Sequence, residues 1–359
     1  MSNLSPVESR SASSSTSRTQ VKEKNTKQDT RQNQLFKMRF RDHALIGAAK
    51  DIPINAATPV FTFSPIVLPY PERPVDLEVK VTAPPTGTAL PIILLSHGQG
   101  MSNHLNSLEG YTPLAEFWAA HGFAVIQPTH LSSMSLKLTY PEGKEYYWQD
   151  RAQDMTRVLD RLDDIEAAVP GLKGRLDRTK VAVAGHSLGA WTASMLLGAK
   201  NISPRDGTVE NKRDERIQAG IIMTGTGNAG DDLSDFGKKM VPFYNPDFSA
   251  MSAPALVVCG DEDVSPHLTT RGADWHADSY TLAPGPKDLL WVKGAKHGLG
   301  GISGWDTDET QDESPERLAA VQRLTCAYLR TALYGDKSWE EACKALEKLG
   351  QLGSVESKK

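Results

Sequence analysis

The sequence predicts a doubly wound α/β fold, a mostly parallel sheet with helices on both faces. The first observation is a series of short aliphatic segments bounded by Gly or Pro: VDLEVKV (75–81), PIILLSH (91–97), FAVIQP (123–128), KVAVAG (180–185), AGIIMTG (219–225), PALVVCG (254–260) and LLWVKG (289–294). Most are apolar without alternation, the pattern of strands covered on both faces. The second observation is that stretches of helical periodicity lie between them. Strand and helix in alternation make crossover units and hence a parallel sheet.

Each element follows from local chemistry. TPLAEFWAAHG (112–122) reads as a helix closed by Gly122, which suits the left-handed position after a helix end. RAQDMTRVLDRLDDIEAA (151–168) places Met155, Val158, Leu159, Leu162 and Ile165 on one face and charges on the other. SLGAWTASMLLGA (187–199) and PERLAAVQRLTCAYLRTALYG (315–335) complete the helices. KNISPRDGTVENKRDER (200–216) reads as a surface loop. Residues 225–253 have Gly, Asp, Pro and aromatics with weak periodicity, so they are expected to cover a pocket rather than form a large separate cap domain. The domain reading is a Ser/Thr-rich disordered tail over 1–40, a catalytic-sized α/β domain over 50–335, and a short helix with a polar tail over 336–359.

With 359 residues, 39% of them hydrophobic, the chain can bury a sizeable core. A net charge of −4 gives no reason to expect a nucleic-acid partner. Cys259, Cys326 and Cys343 are odd in number and widely spaced, which favours free buried thiols over disulfides or a metal site. The N-terminus lacks the apolar core of a secretory signal, and no stretch approaches the roughly 20 apolar residues of a membrane span. A cytoplasmic protein is expected, with organelle targeting by the Ser/Arg-rich start as the alternative. Oligomeric state is not encoded in any readable pattern.

The chemistry concentrates at KVAVAGHSLGAW (180–191), where an apolar run stops at a serine flanked by glycines two residues away on each side. A strand, a sharp turn and a helix would hold Ser187 at the apex as an exposed nucleophile. Gly185 and Gly189 are then needed because side chains there would collide with the adjoining strand or helix. Leu188 opens the helix, so its main-chain N–H is free to face an oxyanion. Partners follow in the order acid, then base. PALVVCG runs into DEDVSP (261–266), where Asp263 is the preferred acid and Asp261 the alternative. LLWVKG runs into AKHGLGG, which puts His297 on a glycine-rich loop at the same edge. His267 and His276 precede that strand and are expected on the wrong connection to serve as the base. His186 adjoins the serine and is expected to pack, or to border the pocket with His130 and Trp305. A second oxyanion donor is expected from the N–H of Gln99 in His97-Gly98-Gln99-Gly100, with Gly98 allowing close approach. Nucleophile, base and acid in this arrangement need no metal and no organic cofactor.

These motifs resemble those of α/β-hydrolases. More narrowly, the chain is similar to the chlorophyllase, platelet-activating-factor acetylhydrolase and predicted dienelactone hydrolase group. The likeness rests on LLSHGQG (94–100), AAHGFAVIQPTH (119–130), WQDRAQDMTRVLD (148–160), GHSLGA (185–190), PALVVCGDEDVSP (254–266) and KHGLGG (296–301), and covers about residues 60–335. The resemblance implies a serine esterase with Ser187, Asp263 and His297 as triad and His97-Gly98-Gln99 as oxyanion strand end. Dienelactone hydrolases use cysteine where this chain has Ser187, which favours ordinary ester hydrolysis of a small-molecule substrate. Arg151 and Asp154 match the family's Arg-x-x-Asp pattern and are expected to pair with each other. An amidase, peptidase or acyltransferase would use the same machinery, and an inactive binding scaffold is the reading from another class.

Overall fold

The computed structural model describes residues 43–304 and 307–359. The chain divides into two units, residues 1–46 and 47–359. Of the first, residues 43–46 are described, in a 3-10 turn. The tail expected over 1–40 and the pocket residue Trp305 lie outside the described residues. All that follows concerns the second unit.

Its strands are β1 (Phe61–Leu68), β2 (Leu77–Ala83), β3 (Leu90–Ser96), β4 (Ala124–Pro128), β5 (Leu176–His186), β6 (Lys200–Ile202), β7 (Val209–Asn211), β8 (Ile217–Met223), β9 (Pro246–Asp247), β10 (Ala255–Gly260), β11 (Lys287–Val292) and β12 (Gly353–Lys358). Nine of them form one sheet in the order β1-β2-β4-β3-β5-β8-β10-β11-β12. The run from β4 to β11 is parallel throughout. β2 pairs antiparallel with both β1 and β4, and β12 pairs antiparallel with β11. The doubly wound expectation therefore holds at the centre, where every residue of β3, β4 and β10 is buried. Apolar side chains on both strand faces can be hidden only if helices cover both sides of the sheet.

The principal helices are α1 (Thr112–Ala120), α2 (Trp148–Asp160), α3 (Leu188–Leu196), α4 (Pro315–Tyr334) and α5 (Ser338–Leu349). The helix expected over 151–168 is two: α2 gives way at Arg161 (φ −115°, ψ 24°) to a short helix over Leu162–Ala168. The predicted face survives the break, since Met155, Val158, Leu159, Leu162 and Ile165 are all buried. No helix among the described residues is long and apolar enough to cross a membrane.

Two segments differ from expectation. The polar stretch 200–216 contains β6 and β7, which with β9 make a small sheet in the order β7-β6-β9. Its polar residues serve the main chain: the buried Asn201 amide donates to the Phe243 carbonyl (2.8 Å) and accepts from the Asn245 N–H (2.9 Å). The polar C-terminal end is likewise no loose tail but β12, an edge strand. Edge pairing uses main-chain groups and leaves alternate side chains in water, so it needs no apolar run. β1, also missed, is an edge strand with mostly exposed side chains.

The buried Lys287 opens β11 and donates to the carbonyls of Met251 (2.8 Å), Ala253 (2.7 Å) and Pro284 (3.1 Å). It thereby ties together the approaches to β10 and β11, the two strands that lead to Asp263 and His297. Lys287→Met keeps the bulk but leaves these acceptors without a donor. Unfolding free energy in urea is expected to fall by about 1–3 kcal/mol, and an unchanged midpoint would contradict this role.

Candidate active site

Ser187 stands between the end of β5 and the start of α3, with φ 55° and ψ −120°. A positive φ is costly for any residue with a Cβ, and it persists only where its surroundings enforce it. Here the Ser187 N–H donates to the Met223 carbonyl on β8 (3.0 Å), and its own carbonyl accepts from the Ala190 N–H (2.9 Å). The glycines answer the close approach of strand and helix. A Cβ on Gly185 would lie 2.0 Å from the Gly189 carbonyl oxygen, and one on Gly189 would lie 2.2 Å from that of Ser96. Leu188 is the first residue of α3, so its N–H has no acceptor within the helix.

Asp263 is buried just past β10, with its N–H bonded to the Gly260 carbonyl (3.2 Å). The Nδ1 of His297, on the loop after β11, donates to Asp263 Oδ2 (2.9 Å). Burial disfavours charge on both groups, but each outweighs it for the other. Asp263 is held below the usual carboxylate range by His297 and, more weakly, by His276 and His186. His297 is raised above the ordinary imidazole range by Asp263, with Asp312 adding to the effect. Asp261, the alternative acid, instead accepts from the Gly294 N–H (2.6 Å) and closes a turn between the two loops.

A hydrogen-bond chain invisible in the sequence joins these pieces. The Gly98 N–H donates to the Tyr111 hydroxyl (3.0 Å), which lies 2.9 Å from His186 Nδ1. His186 Nε2 is 2.8 Å from the His297 carbonyl oxygen. A carbonyl only accepts, so Nε2 carries the proton and Nδ1 accepts from the phenol. Burial, reinforced by the neighbouring His297, pushes His186 down to about 3, which keeps the ring neutral. His186 is thus a buried strut between the loop after β3, the serine turn and the base loop. It does not border the cavity, contrary to one of the two expectations for it.

The Arg151–Asp154 expectation also needs correcting. From α2 the two side chains diverge. Arg151, fully buried, donates to the hydroxyls of Ser132 (2.6 Å) and Thr192 (3.0 Å) and to the His97 carbonyl, so it braces the loop that carries Gln99. Asp154 pairs with Arg73 (3.2 Å), Arg157 (3.0 Å) and His130 (3.1 Å). His130 also meets the Ser96 hydroxyl (2.9 Å) and lies in this network beneath the site rather than in the pocket. On a helix, residues three apart share a face, but each guanidinium and carboxylate goes where burial leaves an unmatched partner.

His267 borders the cavity, and His276 likewise lies close to the proposed acid. The connection before β11 brings it to Asp263, with Nε2 3.3 Å from Oδ2 and Nδ1 2.7 Å from the Gly225 carbonyl oxygen. No local signal in ADWHADS marks it, because its partner is thirteen residues away across a turn. Burial lowers its basicity, against the pull of Asp263.

Gln99, Ser187, Leu188, Asp263 and His297 all border one cavity of about 1080 Å³. The segments 131–148 and 225–253 supply its apolar walls, with Met134, Tyr140 and Tyr146 from the first and Phe243 and Tyr244 from the second. Gln99 is fixed by its side-chain amide on the Ser132 carbonyl (3.1 Å). A hydroxyl on a strained turn, an imidazole backed by a buried carboxylate, and a free helix N–H at one rim make a set suited to nucleophilic attack on a carbonyl.

Fold and site together define an α/β-hydrolase fold. Among solved structures, a ferulic acid esterase from Streptomyces cinnamoneus is similar, with a TM-score of 0.52 and 19% sequence identity over 79% of this chain and 93% of that one. No family model matches the sequence, and no curated protein does.

Tyr111→Phe deletes one oxygen and leaves the Gly98 N–H and His186 Nδ1 without their shared partner. A loss of about 1–3 kcal/mol in unfolding free energy is expected by chemical denaturation. Full stability in the Phe variant would show that the chain of bonds contributes nothing.

Proposed function

We propose that the chain is a serine hydrolase of carboxylic esters, with Ser187 as nucleophile, His297 as general base and Asp263 as the acid that orients it. The observation that carries this reading is the strained Ser187, which shares a cavity with an imidazole hydrogen-bonded to a buried carboxylate. His297 takes the Ser187 proton on Nε2 as the oxygen attacks the ester carbonyl. Asp263 fixes the Nδ1–H tautomer and stabilises the imidazolium. The Gln99 and Leu188 N–H groups receive the oxyanion, and the acyl-enzyme is released by water activated by the same histidine.

The large apolar cavity supports a small-molecule ester as substrate, and the similar fold of a protein described as an esterase agrees with that class. The motif likeness to the chlorophyllase and acetylhydrolase group points to the same class of reaction. A cytoplasmic setting is supported by the free thiols Cys259, Cys326 and Cys343.

Ser187→Ala is expected to abolish labelling by a fluorophosphonate probe, and His297→Ala to lower p-nitrophenyl ester turnover by roughly three to six orders of magnitude. Near-native turnover in His297→Ala would overturn the assignment. The base must be neutral to act, so activity is present above the His297 pKa and lost as pH falls through it. Because that pKa is raised, the acid limb of kcat/KM should lie above the ordinary imidazole value of about 6.5. Asp263→Asn removes the main raising influence, so the limb should move to lower pH while kcat drops.

A further inference from the structure

His276 occupies a position that the proposed chemistry does not use. Its Nδ1 lies 2.7 Å from the Gly225 carbonyl oxygen, which can only accept, so Nδ1 holds the proton of the neutral ring. Nε2 then carries a bare lone pair, and it lies 3.3 Å from Asp263 Oδ2. Two acceptors lie side by side in a buried place, and the Ser265 hydroxyl, 3.5 Å from Nε2, is at the long limit of a hydrogen bond to it. His297 Nδ1 approaches the same Oδ2 at 2.9 Å. Among the described residues, Asp263, His276 and His297 bring their ligand atoms within 4.8 Å of one another.

We propose that these three residues form a binding site for a divalent transition ion of the Zn²⁺ class, and that its occupation switches ester hydrolysis off. Two imidazoles and one carboxylate suit Zn²⁺, Cu²⁺ or Ni²⁺, whereas Mg²⁺ and Ca²⁺ prefer all-oxygen sets. With bonds of about 2.0–2.2 Å, the ligand atoms of a tetrahedral site stand about 3.3–3.6 Å apart. The His276–Asp263 separation already matches, the His297–Asp263 pair needs to open by a few tenths of an ångström, and the two imidazole nitrogens, within 4.8 Å of each other, need to close toward the ion by a rotation of the His297 ring. The Gly225 carbonyl plays the part of the outer partner that fixes the tautomer of a ligating histidine. Asp263 and His297 both border the cavity, the side from which an ion would enter.

Binding has a defined cost for catalysis. The His297 Nδ1 proton leaves to solvent, and the metal takes its place. Asp263 then coordinates the ion instead of supporting an imidazolium, and His297 Nε2 loses basicity toward Ser187. The metal takes no part in turnover. The inhibitory consequence rests on the proposed function; the binding site itself does not.

The test uses the full-length protein titrated with Co²⁺ as a visible stand-in, then with Zn²⁺. One equivalent of Co²⁺ should give the intense visible bands of a four-coordinate ion, and Zn²⁺ should displace it. Ser187→Ala should bind equally well. His276→Gln should weaken binding at least tenfold, since loss of even an outer partner costs 10–100-fold. Zn²⁺ should inhibit wild-type ester turnover in step with site filling, and His276→Gln should need at least tenfold more Zn²⁺ relative to its own metal-free rate. Circular dichroism establishes that the variant is folded. If it is not, ¹⁵N imidazole resonances of the wild type decide: Zn²⁺ should shift His276 Nε2 and His297 Nδ1. A pale six-coordinate Co²⁺ spectrum, affinity unchanged in folded His276→Gln, or a protonated Nε2 that Zn²⁺ leaves unmoved would each overturn the proposal. If Co²⁺ binds as described in a protein with no ester turnover, the hydrolase reading fails and the metal site stands. If ester turnover is strong and Zn²⁺ neither binds nor inhibits, the metal site alone fails.

Discussion

The Tyr111 hydroxyl and the His186 ring carry the hydrogen bonds on which the geometry of the site depends. Through them the loop after β3, the serine turn after β5 and the base loop after β11 are joined side to side, each link 2.8–3.0 Å long. Parallel strands deliver their C-terminal ends to one edge, but neighbouring loops there have no ladder to hold them in register. A chain of directional bonds supplies that register. Because Gly98, Tyr111 and His186 are buried, breaking a link among them strands a donor or acceptor away from water. The neutral state of His186 is part of the design, since a charged ring would lose its acceptor toward the phenol.

Beneath this chain lies a second, charged layer. Arg151 reaches the His97 carbonyl, while Asp154, Arg73, Arg157 and His130 compensate one another nearby. Burial pushes the Asp154 carboxyl up to about 6 despite the surrounding guanidinium groups. Burial, with Arg151 next in effect, keeps both His97 and His130 well below the ordinary imidazole range. Such a network is a weak source of net stability, because desolvation opposes attraction. Its use here is directional: it fixes the main chain from which Gln99 projects into the cavity. The Asp263 carboxylate carries the opposite logic, with three histidines around a single acid and an imidazole whose basicity it raises.

The walls of the cavity show how loosely composition constrains loops. Segments 131–148 and 225–253 are not periodic, and their short helices and turns follow from what they pack against. Phe243 stacks on Trp148 of α2 with ring centroids 5.1 Å apart, and Tyr244 meets Trp191 of α3 edge-on. These contacts join aromatics more than fifty residues apart. The turn that carries Phe243 and Tyr244, just before β9, is likewise held by the amide of Asn201 on β6, a residue that reads locally as polar loop.

The sequence by itself determined the parallel core, the strand–turn–helix around Ser187 and the loop positions of Asp263 and His297. Unbroken aliphatic runs and glycines at a tight crossing are local signatures, because they reflect burial and steric limits set within a few residues. It did not determine the edge strands β1 and β12, whose pairing is a main-chain matter, nor the break at Arg161. Tertiary structure alone decided that Tyr111 and His276 belong to the site, that Arg151 and Asp154 part company, and that His130 lies beneath the site rather than in the pocket. Each of these depends on a buried polar atom finding its complement from a distant segment, and the choice among complements exists only once the chain is folded.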